Sequence, residues 1–358
     1  MLDTLKKTVF LTEVKLCRKI KIPPRSIPFP VVWITNMCNL RCKICNQWKT
    51  DPKLFSQELS TDEWCTFVDS AKRLRAAAIV ITGGEPFLRT DLFEILGYIQ
   101  KRGLAYHICT NGTLLDEERV GKLKSLKPTS ISVSLDSYSA EIHNMMRGVD
   151  CFNRVIEGVK LLKRSIPKTK VGINCVISKK NFYNMYKMIP FAEELKVDQI
   201  KIDLIHTNLK HRSLNAIDFD DFIFKTDDIE ELNNEVDKYI NAAVNTRLLT
   251  NSFTFLKGIK DLYNRRYNFP CYAGYASCAV DALGKVSPCD NFEGNDNLRN
   301  KPLDDIWKSD SFGELRRKVH HCLSGCWDST HAEINIRYCP KYFLKELHNI
   351  SKEFKYYF

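Results

Sequence analysis

No stretch of this chain runs through about 18 uninterrupted apolar residues, which excludes a membrane-spanning helix. Lys, Glu and Arg break Leu2 to Ile20 repeatedly, so it reads as no signal peptide, and a cytoplasmic protein is expected. Acidic residues are the scarcer sign: 43 Asp and Glu stand against 54 Lys and Arg, a net charge of +11. The basic residues are dispersed, and no block of them interleaved with aromatics marks a nucleic-acid face. The excess points instead to an anionic substrate or a membrane contact. Internal repeats and low-complexity tracts are absent too. Cysteine, by contrast, is plentiful. Fourteen cysteines without an export signal argue against a disulfide framework and for metal or redox use in a reducing compartment.

The cysteines are unevenly spread. Cys38, Cys42 and Cys45 fall within eight residues, just after the apolar run Val31-Val32-Trp33-Ile34. Soft thiolates this close together suit an iron–sulfur cluster or zinc. A closed site needs four ligands, and no fourth Cys or His lies nearby. Three thiolates on a four-iron cluster leave one iron open to another ligand. Six more, Cys271, Cys278, Cys289, Cys322, Cys326 and Cys339, occupy the last ninety residues. Cys17, Cys65, Cys109, Cys151 and Cys175 are isolated and read as small buried hydrophobes.

From residue 31 the chain alternates strand-like and helix-like segments. Strands are expected near 31–35, 78–82, 105–109, 130–135, 171–177 and 199–205, and helices over 61–75, 91–102, 116–126, 151–165 and 184–195. Thr61-Asp62-Glu63 and Thr90-Asp91 supply helix starts, and Gly103 a stop. Six such units imply a parallel sheet with right-handed crossovers. In folds of this kind functional residues gather at the C-terminal ends of the strands. Residues 1–30 combine a basic amphipathic helix with a Pro-rich connector, Pro23-Pro24 to Pro30. Leu2, Leu5, Val9, Leu16 and Ile20 form its apolar stripe, among Lys6, Lys7, Lys15, Arg18 and Lys19.

The expected strand ends carry a series of motifs. Thr82-Gly83-Gly84-Glu85-Pro86 follows the second strand, and Thr110-Asn111-Gly112-Thr113 the third. Ser132-Val133-Ser134-Leu135-Asp136 closes the fourth, with Arg147-Gly148 shortly after. Together with the CxxxCxxC loop after the first strand, this order resembles the radical S-adenosylmethionine (radical SAM) enzymes over roughly residues 30–205. The resemblance implies an α/β fold: a partial (β/α)6 TIM-type barrel over residues 31–205, open on one side. The N-terminal helix is expected to pack on that barrel rather than lie on a membrane. The resemblance further implies that Cys38, Cys42 and Cys45 hold a [4Fe–4S] cluster whose fourth iron is chelated by S-adenosylmethionine. Reductive cleavage would give a 5′-deoxyadenosyl radical that takes hydrogen from a substrate, with flavodoxin or ferredoxin as the electron donor. Gly83, Gly84, Glu85 and Pro86 would meet the methionine ammonium; Ser134, Asp136 and Arg147 would meet the ribose or methionine carboxylate, with Asn111 beside them.

The residues themselves leave alternatives. Two glycines permit close backbone approach. Arg147 suits a carboxylate by its bidentate geometry, or is a surface arginine. Asn111-Gly112 is also an ordinary turn. Trp48 shields the cluster or the adenine, or is core. The alternative for the triplet is zinc completed by His107 or Cys109, and the neighbouring Gly-Gly-Glu-Pro argues against it.

Cys271 and Cys289 flank Asp281-Ala282-Leu283-Gly284-Lys285-Val286, a hairpin signal. Cys322, Cys326 and Cys339 follow. With Pro302-Leu303-Asp304-Asp305-Ile306-Trp307 running into a helix near Arg316-Arg317, this resembles the auxiliary-cluster extension of radical SAM enzymes called SPASM, or its shorter twitch form. The dense CxxCxxxxxCxxxC block is missing. One auxiliary [4Fe–4S] cluster is therefore expected on Cys271, Cys289, Cys322 and Cys326, with Cys339 or Cys278 as a substitute. Zinc is the alternative, because four thiolates alone do not separate the two. The expected organisation is thus residues 1–30, the barrel 31–205, a helical linker 206–265 with Ile229 to Leu249 its best helix, a small cysteine-rich domain 266–345 and a tail 346–358.

An auxiliary cluster gives the electron of a substrate radical somewhere to go. The expected function is therefore hydrogen abstraction from, and net oxidation of, a small or saccharide-like metabolite. No second auxiliary cluster and no N-terminal peptide-recognition domain are evident, which favours this over a peptide or protein substrate. A lipid or lipid-linked substrate is the third reading, and a non-enzymatic iron–sulfur or zinc protein the last. Lys201, Asp203, His206 and Tyr275 are candidates to line the substrate cavity, and no general base is assigned.

Overall fold

Local signals set the helix ends. Ser60 Oγ accepts from Glu63 N at 3.3 Å while the Glu63 carboxylate accepts from Ser60 N at 2.7 Å, a capping box that starts one helix. Asp116 Oδ1 accepts from Arg119 N at 2.8 Å and starts another. A computed structural model describes residues 2–205, 220–261, 270–322 and 326–357.

The barrel strands are β1 (Phe29–Trp33), β2 (Ala78–Thr82), β3 (Ala105–Thr110), β4 (Ser130–Ser134), β5 (Lys170–Ile177) and β6 (Gln199–Leu204). The helices among them are α2 (Thr61–Arg73), α3 (Leu92–Lys101), α4 (Glu117–Leu126), α5 (Ala140–Arg147), α6 (Phe152–Ser165) and α7 (Met188–Glu194), preceded by α1 (Leu2–Ile20). After them come α8 (Ile229–Asn245), α9 (Phe253–Asp261), the hairpin β7 (Ser277–Val280) and β8 (Val286–Ser287), then α10 (Leu303–Lys308) and α11 (Asp310–His320). The C-terminal end is helical: α12 (Ser329–Tyr338), α13 (Pro340–Phe343) and α14 (Leu347–Tyr357).

Among the described residues the strands form one sheet in the order β6-β5-β4-β3-β2-β1-β7-β8. The six barrel strands are parallel, and the edges at β6 and β8 do not meet, so the partial barrel stays open. Strand alternation divides the side chains between two faces. Ile79, Ile81, Ile108, Ile131, Val133, Ile173, Ile200 and Ile202 are fully buried in the core that also holds Trp64, Phe67, Leu96, Leu123, Val159 and Leu162 of the helices. The intervening residues Val80, Thr82, His107, Cys109, Asn174, Val176, Lys201 and Asp203 line a cavity inside the barrel.

Several elements differ from the sequence expectation. Strand β1 begins two residues early, because Phe29 and Pro30 pair with Ser277 and Cys278 of β7 before β1 reaches β2. The cysteine-rich hairpin thus extends the barrel sheet. The expected helix to Leu249 stops at Asn245, and Leu249 returns to the sheet, accepting from Ile200 N at 2.9 Å. The expected helix 184–195 is a 3₁₀ turn, Met185–Lys187, followed by α7. Helix α5 had no predicted counterpart. Helix α1 does pack on the protein, but against the cysteine-rich end: Val14 is buried with Tyr272, Tyr275, Ile334 and Tyr338. No helix among the described residues is long and apolar enough to cross a membrane.

The expected tail is an ordered helix that closes the N-terminal end of the barrel. From α14, Glu353 accepts from Lys201 Nζ at 2.8 Å and pairs with Arg337, while Tyr356 Oη reaches Ile131 O at 3.4 Å. Burial disfavours the Glu353 carboxylate, yet Arg337 and Lys201 hold its pKa below the usual range. Removing one member of a buried pair strands the other charges, typically at about 3–5 kcal/mol. Glu353→Ala is therefore expected to lower the urea midpoint sharply in equilibrium unfolding. Glu118→Ala, which removes the exposed pair with Lys122, should leave it nearly unchanged.

Candidate active site between two groups of cysteines

The first cysteine loop has little regular structure of its own and is held by backbone from neighbouring strand ends. Gly84 N donates to Thr35 O at 2.8 Å and Glu85 N to Met37 O at 2.7 Å. This approach requires glycine: a Cβ on Gly83 would stand 2.5 Å from Thr35 O, and one on Gly84 2.0 Å from Met37 O. From the other side, Arg41 N donates to Arg147 O at 3.2 Å and Lys43 N to Met146 O at 2.9 Å. Gly148, in the left-handed region at φ 70°, lets α5 end against Arg41, where a Cβ would lie 2.2 Å from Arg41 O. The indole of Trp48 donates to Cys42 O at 3.3 Å, with the Arg41 guanidinium 5.2 Å from its ring centre, so it covers the loop.

Polar side chains complete the clamp. The Glu85 carboxylate is wholly buried and accepts from Asn111 N at 2.7 Å, Thr110 Oγ1 at 2.8 Å and Phe87 N at 3.2 Å. Burial outweighs these donors and pushes its pKa up to about 7. Its carboxylate therefore fastens the end of β2 to the end of β3. Asn111 is more than a turn residue: its Nδ2 donates to Asn39 Oδ1 at 2.8 Å, and Asn39 Nδ2 donates to Thr113 Oγ1 at 2.8 Å, tying β3 to the cysteine loop. Pro86 opens the 3₁₀ turn that follows, and Ser134 ends β4 opposite Asn174.

Arg147 is no surface arginine. Its Nε and Nη2 lie 2.7 and 2.9 Å from the two Asp136 oxygens, a bidentate pair, and its Nη1 faces Cys42 Sγ at 3.9 Å. Burial opposes that charge, but Asp136 and Cys42 hold its pKa above the ordinary range. Burial raises the Cys42 thiol, and Arg147 pulls it back down. Burial also lifts Cys38 to about 11, with the charges of Cys42 and Cys45 adding to it, so the three thiols are within electrostatic reach of one another. In the metal-free protein the Cys38 and Cys42 protons are held, and metal must displace them.

Cys271, Cys289, Cys322 and Cys326 line a second, small recess with His331 and Asn291. Asn291 Nδ2 donates to Cys326 Sγ at 3.2 Å. Burial raises Cys271 to about 11 and Cys289 to about 12. Two expected substitutes stand elsewhere. Cys339 is not among the recess-lining residues; it ends α12 and its carbonyl accepts from Phe343 N at 2.9 Å. Cys278 lies on β7 and lines the barrel cavity. Among the described residues no three Cys, His, Asp or Glu donors converge closely enough for a single ion. Four thiols around one recess suit an iron–sulfur cluster or zinc alike.

Between the two cysteine groups lies one cavity of about 440 Å³. Ile44 of the first loop borders it, as do Cys289, Asp290 and His331 beside the second. Phe29, Val31, Trp33, Val80, Val176 and Ile205 supply an apolar wall. Of the expected lining residues, Lys201 and Asp203 are present, Tyr275 is buried in the small core under α1, and His206 lies outside the described residues. Asp203 accepts from Ser329 N at 2.5 Å and Ser329 Oγ at 2.8 Å. His107 Nδ1 lies 2.7 Å from Ser130 Oγ, and burial lowers this imidazole to about 3, so it is neutral.

Sequence reading missed His331, Asp328, Arg337 and Glu353. Asp328 accepts from His331 N at 2.8 Å, capping α12, and its two oxygens lie 3.0 and 2.9 Å from His331 Nδ1. Burial alone would lower His331, but the Asp328 charge and hydrogen bond raise it to about 9. The Asp-x-x-His spacing before a helix was the available signal.

Comparisons with known proteins agree with this geometry. The family model of the radical SAM superfamily matches residues 32–188, and that of SPASM, an iron–sulfur cluster-binding domain, matches residues 271–328. The AdoMet-dependent heme synthase of Methanosarcina barkeri is 28% identical over 303 residues, covering 82% of this chain and 84% of that protein. The mycofactocin maturase MftC of Mycolicibacterium smegmatis is 26% identical over 299 residues, covering 81% and 72%. In fold, the chain is similar to Streptococcus suis SuiB bound to precursor peptide SuiA, with a TM-score of 0.67, 21% identity and coverage of 83% and 68%. Proteins of this kind use a [4Fe–4S] cluster with S-adenosylmethionine, and a SPASM domain binds auxiliary iron–sulfur clusters. The chain belongs to the radical SAM superfamily and carries a SPASM iron–sulfur cluster-binding domain at its C-terminal end.

Proposed function

We propose that this protein is a radical SAM oxidoreductase that removes hydrogen from a carbon of a substrate held inside the barrel, in a net two-electron oxidation. The supporting observation is the cavity that reaches from Ile44 of the first cysteine loop to Cys289 of the second group. When bound, the first cluster supplies the electron that cleaves S-adenosylmethionine to a hydrogen-abstracting 5′-deoxyadenosyl radical, and the auxiliary cluster is an electron acceptor. Cys38, Cys42 and Cys45 would hold the first cluster, and Cys271, Cys289, Cys322 and Cys326 the second. Arg147, fixed by Asp136, stabilises the Cys42 thiolate. Glu85 and Asn111 position the loop, while the Gly83–Pro86 backbone and Ser134 border the place for S-adenosylmethionine.

The cavity wall bears on the substrate. Aromatic and aliphatic surface from Phe29, Val31, Trp33 and Val80 offers few partners to a polyhydroxylated sugar. The lining favours a substrate with an apolar body and polar margins over the saccharide-like metabolite expected from sequence. The relationship to heme synthases makes a heme precursor the first compound to test, with Lys201, Asp203, His331 and Arg337 as its polar contacts. A peptide substrate is the second reading, favoured by the relationship to mycofactocin maturase.

Anaerobic reconstitution is expected to give roughly eight irons per chain and, once reduced, 5′-deoxyadenosine. Cys38→Ala should retain about four irons and form none. An intact cluster without cleavage would sink the enzyme reading, and a Cys38→Ala protein that still cleaves would overturn the ligand assignment. Glu85 gives a pH test in the metal-free protein. Its folded pKa, near 7, exceeds the usual carboxyl value of 4.5, so its stabilising contribution is full below about pH 4.5 and is lost as pH rises through 7. Unfolding free energies from pH 5 to 8 should fall by up to roughly 3 kcal/mol more than in Glu85→Gln. Parallel curves would show that Glu85 does not titrate in this window.

A further inference from the structure

The C-terminal end of α1 lies beside the second cysteine group, and its outward side chains there have no partner among the described residues. Arg18, in its last turn, donates from Nε to Cys271 O at 2.6 Å, so the helix end sits directly on a proposed cluster ligand. The inner side of α1 is taken up by Val14 and Cys17, which are buried. The outer side exposes Leu16 by 54%, Ile20 by 53% and the following Ile22 by 46%. Lys15, Lys19 and Lys21 stand exposed among them, and none has an ion-pair partner among the described residues. The nearby acid, Glu13, is turned away: it accepts from Arg25 N at 2.7 Å and Ser26 Oγ at 2.9 Å and pairs with Arg75. Helix α11 continues the patch. Lys318 and His321 are exposed at its end, and Val319 and Cys322 line the cysteine recess.

We propose that this basic, apolar-centred face is the docking surface for an acidic one-electron carrier protein that exchanges electrons with the auxiliary cluster. The inference rests on the oxidation proposed above. One electron enters to break the sulfonium C–S bond, and the substrate hydrogen leaves as 5′-deoxyadenosine. The substrate radical then loses a proton to water or a protein base and one electron to the auxiliary cluster. That electron must leave before the next turnover, reducing a carrier's flavin or iron–sulfur centre by one electron. A positive rim around a small apolar centre, one helix away from the ligand Cys271, meets both needs: charge steers an acidic partner, and proximity shortens the transfer. An anionic membrane fits less well. Over residues 11–22 Val14 and Cys17 are buried, and the exposed apolar side chains available for insertion are Leu16, Ile20 and Ile22. Nor does a membrane contact need to lie over a cluster ligand.

The test uses the reconstituted full-length protein, with oxidised flavodoxin and a [2Fe–2S] ferredoxin as probes in calorimetric titrations at low and high salt. Binding that weakens with salt is expected, together with at least about a tenfold loss of affinity in the combined Lys15→Glu, Lys19→Glu and Lys21→Glu protein. A matched reversal elsewhere, Lys101→Glu, Lys124→Glu and Lys168→Glu, should bind as the unchanged protein does. Dithionite-driven 5′-deoxyadenosine formation and circular dichroism should be the same in all three. Equal carrier affinity in the two reversal variants overturns the proposal. So does co-sedimentation with phosphatidylglycerol vesicles that is lost on the α1 reversal while neither carrier binds. Carrier binding that depends on α1, without dithionite-driven cleavage, would leave the docking face standing and remove the oxidase reading instead.

Discussion

Everything chemical in this protein depends on how an irregular loop, residues 35–45, is held still. It has little ladder of its own, so its backbone groups must find partners on other elements. They find them on two sides: Gly84 and Glu85 after β2, and Met146 and Arg147 at the end of α5. The carboxylate of Glu85, buried and bonded to the end of β3, keeps the first of these clamps in place. Three thiols can share one guest only if the backbone between them is rigid to a fraction of an ångström. The glycines matter for the same reason, since any side chain at Gly84 would push the loop away.

A second constraint is the polarity of the barrel interior. The outward strand faces are isoleucine and valine against helices, whereas the inward ones carry Thr82, His107, Asn174, Lys201 and Asp203. Buried polar groups need partners, and here they come from the C-terminal end. Ser329 answers Asp203, and Glu353 answers Lys201 and Arg337. The C-terminal helices therefore complete the barrel chemically as well as sterically. They also bring His331 between the cavity and the second cysteine recess, so the two share a wall.

Much of this was legible because the informative residues are consecutive. The cysteine triplet, Gly83 to Pro86 and Asn111 each occupy a few adjacent positions at a strand end, where local pattern and fold-level rules coincide. The strand positions followed from apolar runs, and their errors at the ends have physical causes. Phe29 and Pro30 are strand only because β7 lies beside them. Other features left no local trace. Residues 346–358 carry no motif, and Glu353 becomes a buried counter-ion only once Lys201 and Arg337 are in place. Arg147 looked equally like a surface residue, because Asp136, eleven positions away, is its partner only through the fold. Cys339 was as good a ligand as Cys322 by spacing, and only the turn of α12 sets it apart from the recess.

The amino-acid sequence by itself determined the family, the parallel barrel and the thiols of the first site, because each is written in short-range spacing. Tertiary structure decided which distant cysteines share a recess and that one cavity reaches from Ile44 of the first loop to Cys289. It also decided that the wall of that cavity is apolar, and that α1 rests on Cys271 with a basic face outward. These are matters of long-range proximity, set by how strand ends and helices meet. A pattern of neighbouring residues carries no distance between elements that are hundreds of positions apart.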